Sequence, residues 1–198
     1  MLTLKIKTAL PALVAAWGIL LGGVLTEARA DALSEAAGQY RINASSHIAF
    51  SVGQVGGGGI SGDFANFRGT FRLDGRDIGR STVQFTLVPA SVRTGEPRVE
   101  GFLRSDAVFD VANFPEITFK STRITRTGEN SARIDGVLTA RGKSKKAVFE
   151  ADVRSRTKSA IAFHVRGKIL RSLYDMDVGT PIYSNVVDFD MVLQGSRR

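Results

Sequence analysis

The sequence predicts an all-β fold, an eight-stranded antiparallel up-and-down barrel with one or two short helices. Three observations predict it. Apolar and polar residues alternate with a period of two from Tyr40 onward. Turn-forming residues break that alternation at short intervals. Nowhere do strand and helix patterns exchange regularly, as a parallel sheet would require. Closure follows because an open sheet of eight strands has two edges to protect, and joining them removes both.

The chain opens on a different pattern. Lys5 and Lys7 precede an apolar run from Ala9 to Leu25, and Ala28-Arg29-Ala30 then offers a small-residue cleavage sequence. A secretory signal peptide is expected over residues 1–30, with periplasmic delivery of a single domain, 31–198. A retained membrane anchor is the alternative, although the run is shorter than the ~20 residues a spanning helix needs.

Cleavage after Ala30 leaves 168 residues with 24 basic and 18 acidic side chains, a net charge of +6. Such a surface prefers anionic neighbours such as lipid headgroups. Nucleic acid is not expected, because no basic cluster accompanies a recognition motif. The chain has no cysteine, so disulfides, iron–sulfur ligation and thiolate zinc sites are excluded. His47 and His164 are its two histidines and neither has a partner at H-x-x-x-H spacing, so no metal or cofactor is expected.

Residues 32–37 read as a short helix or a flexible arm. The strands follow as Ile48, Phe50 and Val52; Phe71 and Leu73; Val83, Phe85 and Leu87; Ile117, Phe119 and Ser121; Ile134, Gly136 and Leu138. Ala147, Phe149, Ala151 and Val153, then Ile161, Phe163 and Val165, and finally Val187, Phe189, Met191 and Leu193 complete the set. Asp74-Gly75, Pro89, Gly95-Glu96-Pro97, Thr127 to Asn130, Arg141-Gly142-Lys143 and Pro181 mark the turns. Leu103 to Ala112 lacks alternation and stops before Pro115, so it reads as a helix crossing one end of the barrel.

Two glycine motifs invite a phosphate-binding reading and do not sustain it. Gly56 to Gly59 is followed by neither a lysine nor a helical pattern, so it reads as a link between strands. Gly142-Lys143-Ser144 has Val137 where a P-loop needs glycine and lies between two strands, so it reads as a hairpin turn. Arg141 to Lys146 is nevertheless the most basic short stretch, a candidate for transient contact with an anionic membrane surface.

Asp188 and Asp190 alternate with apolar residues and should face outward, and no G-x-S-x-G or H-E-x-x-H supports catalysis. The unusual feature is twelve Phe against one Trp and three Tyr, apolar area without polar handles. An eight-stranded barrel is wide enough to fill itself with such side chains or to hold one ligand, and the residues leave both readings open.

Tyr40 to Asn43 with Ser46-His47, Ser91 to Gly95, Leu103 to Phe119 and Gly136 to Lys145 together resemble the YceI-like family of polyisoprenoid-binding, lipocalin-like proteins of the bacterial envelope. Tyr40-Arg41-Ile42-Asn43 with Ser46-His47 and Phe50-Ser51-Val52 is similar to its opening, and Ser91 to Gly95 to its S-V-x-T-G turn. Leu103-Arg104-Ser105, continuing through Phe109-Asp110-Val111 to Phe114-Pro115-Glu116-Ile117-Thr118-Phe119, is the most specific part. Gly136 to Thr139 with Arg141-Gly142 and Lys145 resembles a later segment. The chain departs from the family pattern at Asn43, Phe102, Ala107 and Asp175, where Asp, His, Asp and Gly are usual.

The resemblance implies a barrel with an elongated pocket for an isoprenoid chain. Phe50, Phe71, Phe85, Phe119, Phe149 and Phe163 are the candidate ligand-binding residues. The expected partner is an isoprenoid quinone, a polyprenyl lipid or a fatty amphiphile, with homodimer formation left open, and no catalytic residue is expected. Two rivals stand beside this carrier reading. A filled barrel could act as an interaction module through its basic surface. An enzyme acting on a bound amphiphile would need a titratable group inside the barrel, for which His47 and His164 are the candidates.

Overall fold

In a computed structural model the described residues are 32–198. The expected leader over residues 1–30 lies outside them. Two helices, α1 (Ala32–Glu35) and α2 (Pro97–Arg104), accompany eleven strands among these residues. The strands are β1 (Gly38–Ile42), β2 (His47–Gly53), β3 (Gly59–Phe64), β4 (Phe67–Leu73), β5 (Thr82–Leu87), β6 (Val92–Arg93), β7 (Ile117–Arg126), β8 (Ser131–Ala140), β9 (Lys143–Arg156), β10 (Ala160–Leu170) and β11 (Val186–Arg197).

Eleven strands make eight staves, because three staves are broken. β1 and β2 both pair antiparallel with β11, Tyr40 opposite Arg197 and Ile48 opposite Met191, so they are two halves of one stave. β3 continues into β4, and β5 into β6, in the same way. Each stave then pairs with the next in chain order, and β1 with β11 closes the ring into the antiparallel barrel.

The breaks are bridged by side chains that replace missing ladder bonds. Between β1 and β2 the Ser46 hydroxyl accepts from Gln194 N at 2.9 Å. Between β3 and β4 the Ser91 hydroxyl accepts from Asn66 N at 2.9 Å. These breaks hid strands from the alternation: β3 carries Gly59 and Gly62, so its apolar period is too thin to read, and β4 starts earlier than Phe71.

Sequence reasoning misplaced the longer helix. α2 spans Pro97–Arg104, and residues 105–113 form turns in place of the expected helix from Leu103 to Ala112. Proline suits the first helical turn, where its missing N–H has no partner to lose. The helix ends where Ser105 donates its hydroxyl to Phe102 O at 2.7 Å and Phe109 N folds back onto Leu103 O at 3.0 Å.

The barrel ends differ. At one end α1 places buried Leu33 under the staves, while the Tyr40 hydroxyl donates to Ala36 O at 2.9 Å and Glu35 pairs with Arg156. The other end collects α2, the 54–58 turn and the long connection from β10 to β11.

Candidate functional site

The staves enclose a cavity of about 580 Å³, a size typical of small-molecule sites. All six candidate phenylalanines, Phe50, Phe71, Phe85, Phe119, Phe149 and Phe163, stand on its wall. They face inward because period-two alternation sends every second side chain to the lumen. Rings meet at the wall in edge-on pairs, Phe119 with Phe149 at 5.1 Å and Phe71 with Phe163 at 5.6 Å between centroids. Ala132, Ala140 and Ala151 also line the cavity, and their small side chains fill little of it. A barrel filled by its own side chains is therefore not what this sequence builds.

The cavity runs from one end to the other. Lining residues at the α1 end, such as Leu33, Leu73, Ile124 and Phe163, are all buried. At the α2 end Phe102 and Val178 line the cavity and are still 45% and 43% exposed, so the mouth opens there. Exposed Arg98 lies on the same rim. Val55 and Ile182 are exposed beside it, joined by a bond from Val55 N to Ile182 O of 2.9 Å.

Four lining side chains carry polar atoms: Arg98, Arg171, Tyr174 and Tyr183. Arg171 is buried and holds the β10–β11 connection to itself. Its Nε donates to Ser184 O at 2.8 Å, Nη1 to Val178 O at 2.8 Å and to Met176 O, and Nη2 to Tyr183 O at 3.2 Å. Burial pushes its pKa down, partly offset by Asp177. Burial likewise pushes the Tyr174 phenol above its ordinary range, and its hydroxyl has no hydrogen-bond partner.

Neither histidine enters the lumen. His47 is exposed at the start of β2, and His164 meets Asp190 at 2.8 Å on the outer face, between inward Phe163 and Val165. The enzymatic reading loses both of its candidates for a simple reason: period two places them on the wrong side. Among the described residues no group of three His, Asp or Glu is placed to hold a metal ion.

The basic tip is partly committed elsewhere. Arg141 and Gly142 have φ of 46° and 70°, the two-residue turn that suits a hairpin. The Arg141 guanidinium donates to Val108 O at 3.1 Å and Asp175 O at 2.7 Å, while Lys143 pairs with the Asp175 carboxylate at 2.5 Å. Both side chains thus brace the mouth.

Sequence reasoning missed several wall residues. Phe64 lies in the thin β3 pattern, Phe109 in a turn, and Arg171, Tyr174 and Met176 in a connection without any period. Only the departure from the family-like pattern at Asp175 pointed to that connection.

Residues 40–194 match the model of the YceI-like domain. A UPF0312 protein of Pseudomonas syringae pv. tomato is 27% identical over 197 residues, covering 98% of this chain and 99% of that protein. The crystal structure of Burkholderia cenocepacia BcnA matches with a TM-score of 0.72 at 23% identity, covering 77% of this chain and 98% of BcnA. A polyisoprenoid binding domain from Saccharophagus degradans matches with a TM-score of 0.66 at 17% identity, covering 80% of this chain and 98% of that domain. At these identities the two structures establish the fold.

Proposed function

The chain belongs to the YceI-like family, and from that premise we propose that it is a periplasmic carrier that sequesters a polyisoprenoid or similar amphiphilic lipid inside its barrel. The vacant, hydrocarbon-walled cavity carries this reading. Each buried methylene of a tail is worth ~0.8 kcal/mol, so an enclosed apolar lumen is what a lipid needs to cross water. The similarity to a polyisoprenoid binding domain supports the ligand class. The signal-type sequence over residues 1–30 supports export of a single mature domain, 31–198.

Binding in this reading is reversible and involves no chemistry. The six phenylalanines supply half of the aromatic residues on the wall against which the tail lies. Loading takes place through the α2 end, where Phe102, Val178, Val55 and Ile182 expose apolar area next to Arg98, a composition suited to brief contact with an anionic membrane. Lys145 and Lys146 add to that attraction.

Organic extraction of protein purified from its own host, followed by mass spectrometry, tests the proposal. A prenyl lipid or related amphiphile recovered in near-stoichiometric amount is expected. Protein that emerges empty, and that takes up no prenyl lipid when mixed with vesicles containing it, would sink the carrier reading.

A further inference from the structure

Among the described residues, the only charges on the cavity wall are positive. Of its four polar side chains, Arg98 and Arg171 are cations and Tyr174 and Tyr183 are phenols, while no Asp or Glu lines it. Arg171 is 7% exposed, and its guanidinium is held by main-chain carbonyls, not by a carboxylate. Asp177 acts on it only through its field. Carbonyl dipoles satisfy the N–H groups but do not cancel the charge, and a buried charge without a counter-charge is costly.

Arg98 is free where Arg171 is committed. It lies in the first turn of α2, a helix whose Val99, Phe102 and Leu103 also line the cavity. Residues four apart share a helix face, so Arg98 stands one turn from Phe102 on the rim. Among the described residues it makes no ion pair, with Glu96 or any other carboxylate. Glu100 is taken by Arg104 at 3.1 Å and by Thr94 N at 2.9 Å. An exposed arginine on an apolar wall lays its stem along the hydrocarbon and keeps its charge in water. The head of an amphiphile stops at the same boundary.

We infer that the bound amphiphile carries an anionic head, a phosphate or a carboxylate, which sits at the mouth beside Arg98 and within the field of Arg171. The inference rests on the lipid-carrier reading above and deepens it. The tail then runs toward Leu33 at the closed end. No rival place for the head exists there, because Leu33, Leu73, Ile124 and Phe163 are buried hydrocarbon and would leave a charge dry.

Three probes with one tail test it: geranylgeranyl phosphate, geranylgeranoic acid and geranylgeraniol, each titrated into the wild-type protein, Arg98→Gln and Lys158→Gln. Lys158 is exposed in the turn between β9 and β10, at the end where Arg156 meets Glu35 of α1, so its removal controls for attraction by the basic surface as a whole. The better of the two acids should bind the wild type about tenfold more tightly than the alcohol. Arg98→Gln should weaken that acid about three- to tenfold, as loss of a partly exposed charge-assisted contact implies. Geranylgeraniol should bind Arg98→Gln and wild type alike, and Lys158→Gln should match wild type with all three probes. Whichever acid is better names the head as phosphate or carboxylate. An alcohol that binds as tightly as the better acid, an acid affinity that ignores Arg98→Gln, or an equal loss in both variants would each overturn the anionic head. Wild-type protein that takes up none of the three would instead refute the carrier reading itself.

Discussion

Gly167 on β10 stands directly opposite Phe149 on β9, and a side-chain carbon added to Gly167 would lie 2.3 Å from the Phe149 ring. The ring thus covers the glycine and leans along the wall. The Phe119 ring covers Gly136 and the Phe71 ring covers Gly195 as closely, at 2.4 and 2.3 Å, although neither glycine is directly opposite that phenylalanine in the ladder. In each case a missing side chain on one strand gives a large ring somewhere to go other than the axis. The lumen stays open because these glycines are in the wall.

Gly167→Ala should therefore drive the Phe149 ring toward the axis. Overpacking of this kind costs typically 1–3 kcal/mol, which urea denaturation would read as a lower midpoint at unchanged slope. Capacity for a prenyl probe should fall with it. A variant that keeps both stability and uptake would show that the ring has another way to move.

The alternation exposed these rings but not the vacancy between them. Period two predicted which face of each strand is inward, and so named the six phenylalanines on the wall. Whether inward rings meet depends on what sits across from each one, and Gly136, Gly167 and Gly195 find their rings only when register is known. Tyr174 and Arg171 were invisible for another reason: a connection has no period, and a buried cation on carbonyls leaves no mark in spacing. The histidines were legible in principle, since His164 falls between Phe163 and Val165.

Arg171→Met should remove the donors that gather Met176, Val178, Tyr183 and Ser184. Buried carbonyls left without partners cost about 1–3 kcal/mol each, softened where the connection relaxes toward water, so a net loss of about 3 kcal/mol is expected. Hydrogen exchange should locate it, with protection falling between residues 171 and 186 more than in β7 to β9. A uniform loss across the barrel would mean that Arg171 supports the whole fold and not the mouth.

Acid should weaken the barrel through Asp152. The Ser131 hydroxyl, 2.6 Å away, is the largest influence holding its carboxyl below the ordinary range, and Arg166 adds to it. A folded-state pKa below the unfolded one, near 4, contributes stability that is fully present above pH ~4 and lost as pH falls through the folded value. Asp74, held low by the backbone N–H groups of Asp77 and Arg76, acts in the same direction. Melting temperature should then be flat near neutrality and fall below pH ~4, and Ser131→Ala should make the fall shallower. An unchanged acid limb in that variant would remove Asp152 from the explanation.

Asp175 tests backbone strain against charge. Its φ is 55°, in the left-handed region, where the family-like pattern has glycine, and its carboxylate reaches Lys143 at 2.5 Å. Asp tolerates this region better than most side chains, and the pair with Lys143 lies in solvent, where such pairs are weak. Asp175→Ala keeps a side chain in the strained conformation and gives up the pair, so it should melt below wild type. Asp175→Gly gives up the same pair and relieves the strain, and should melt about 2–4 °C above the alanine variant, as a backbone difference of ~1 kcal/mol implies for a chain of this size. Because both variants lack the carboxylate, the difference between them isolates the backbone. Equal melting temperatures would show that the mouth connection relaxes its dihedral freely, and that Lys143 alone favours an acidic residue there.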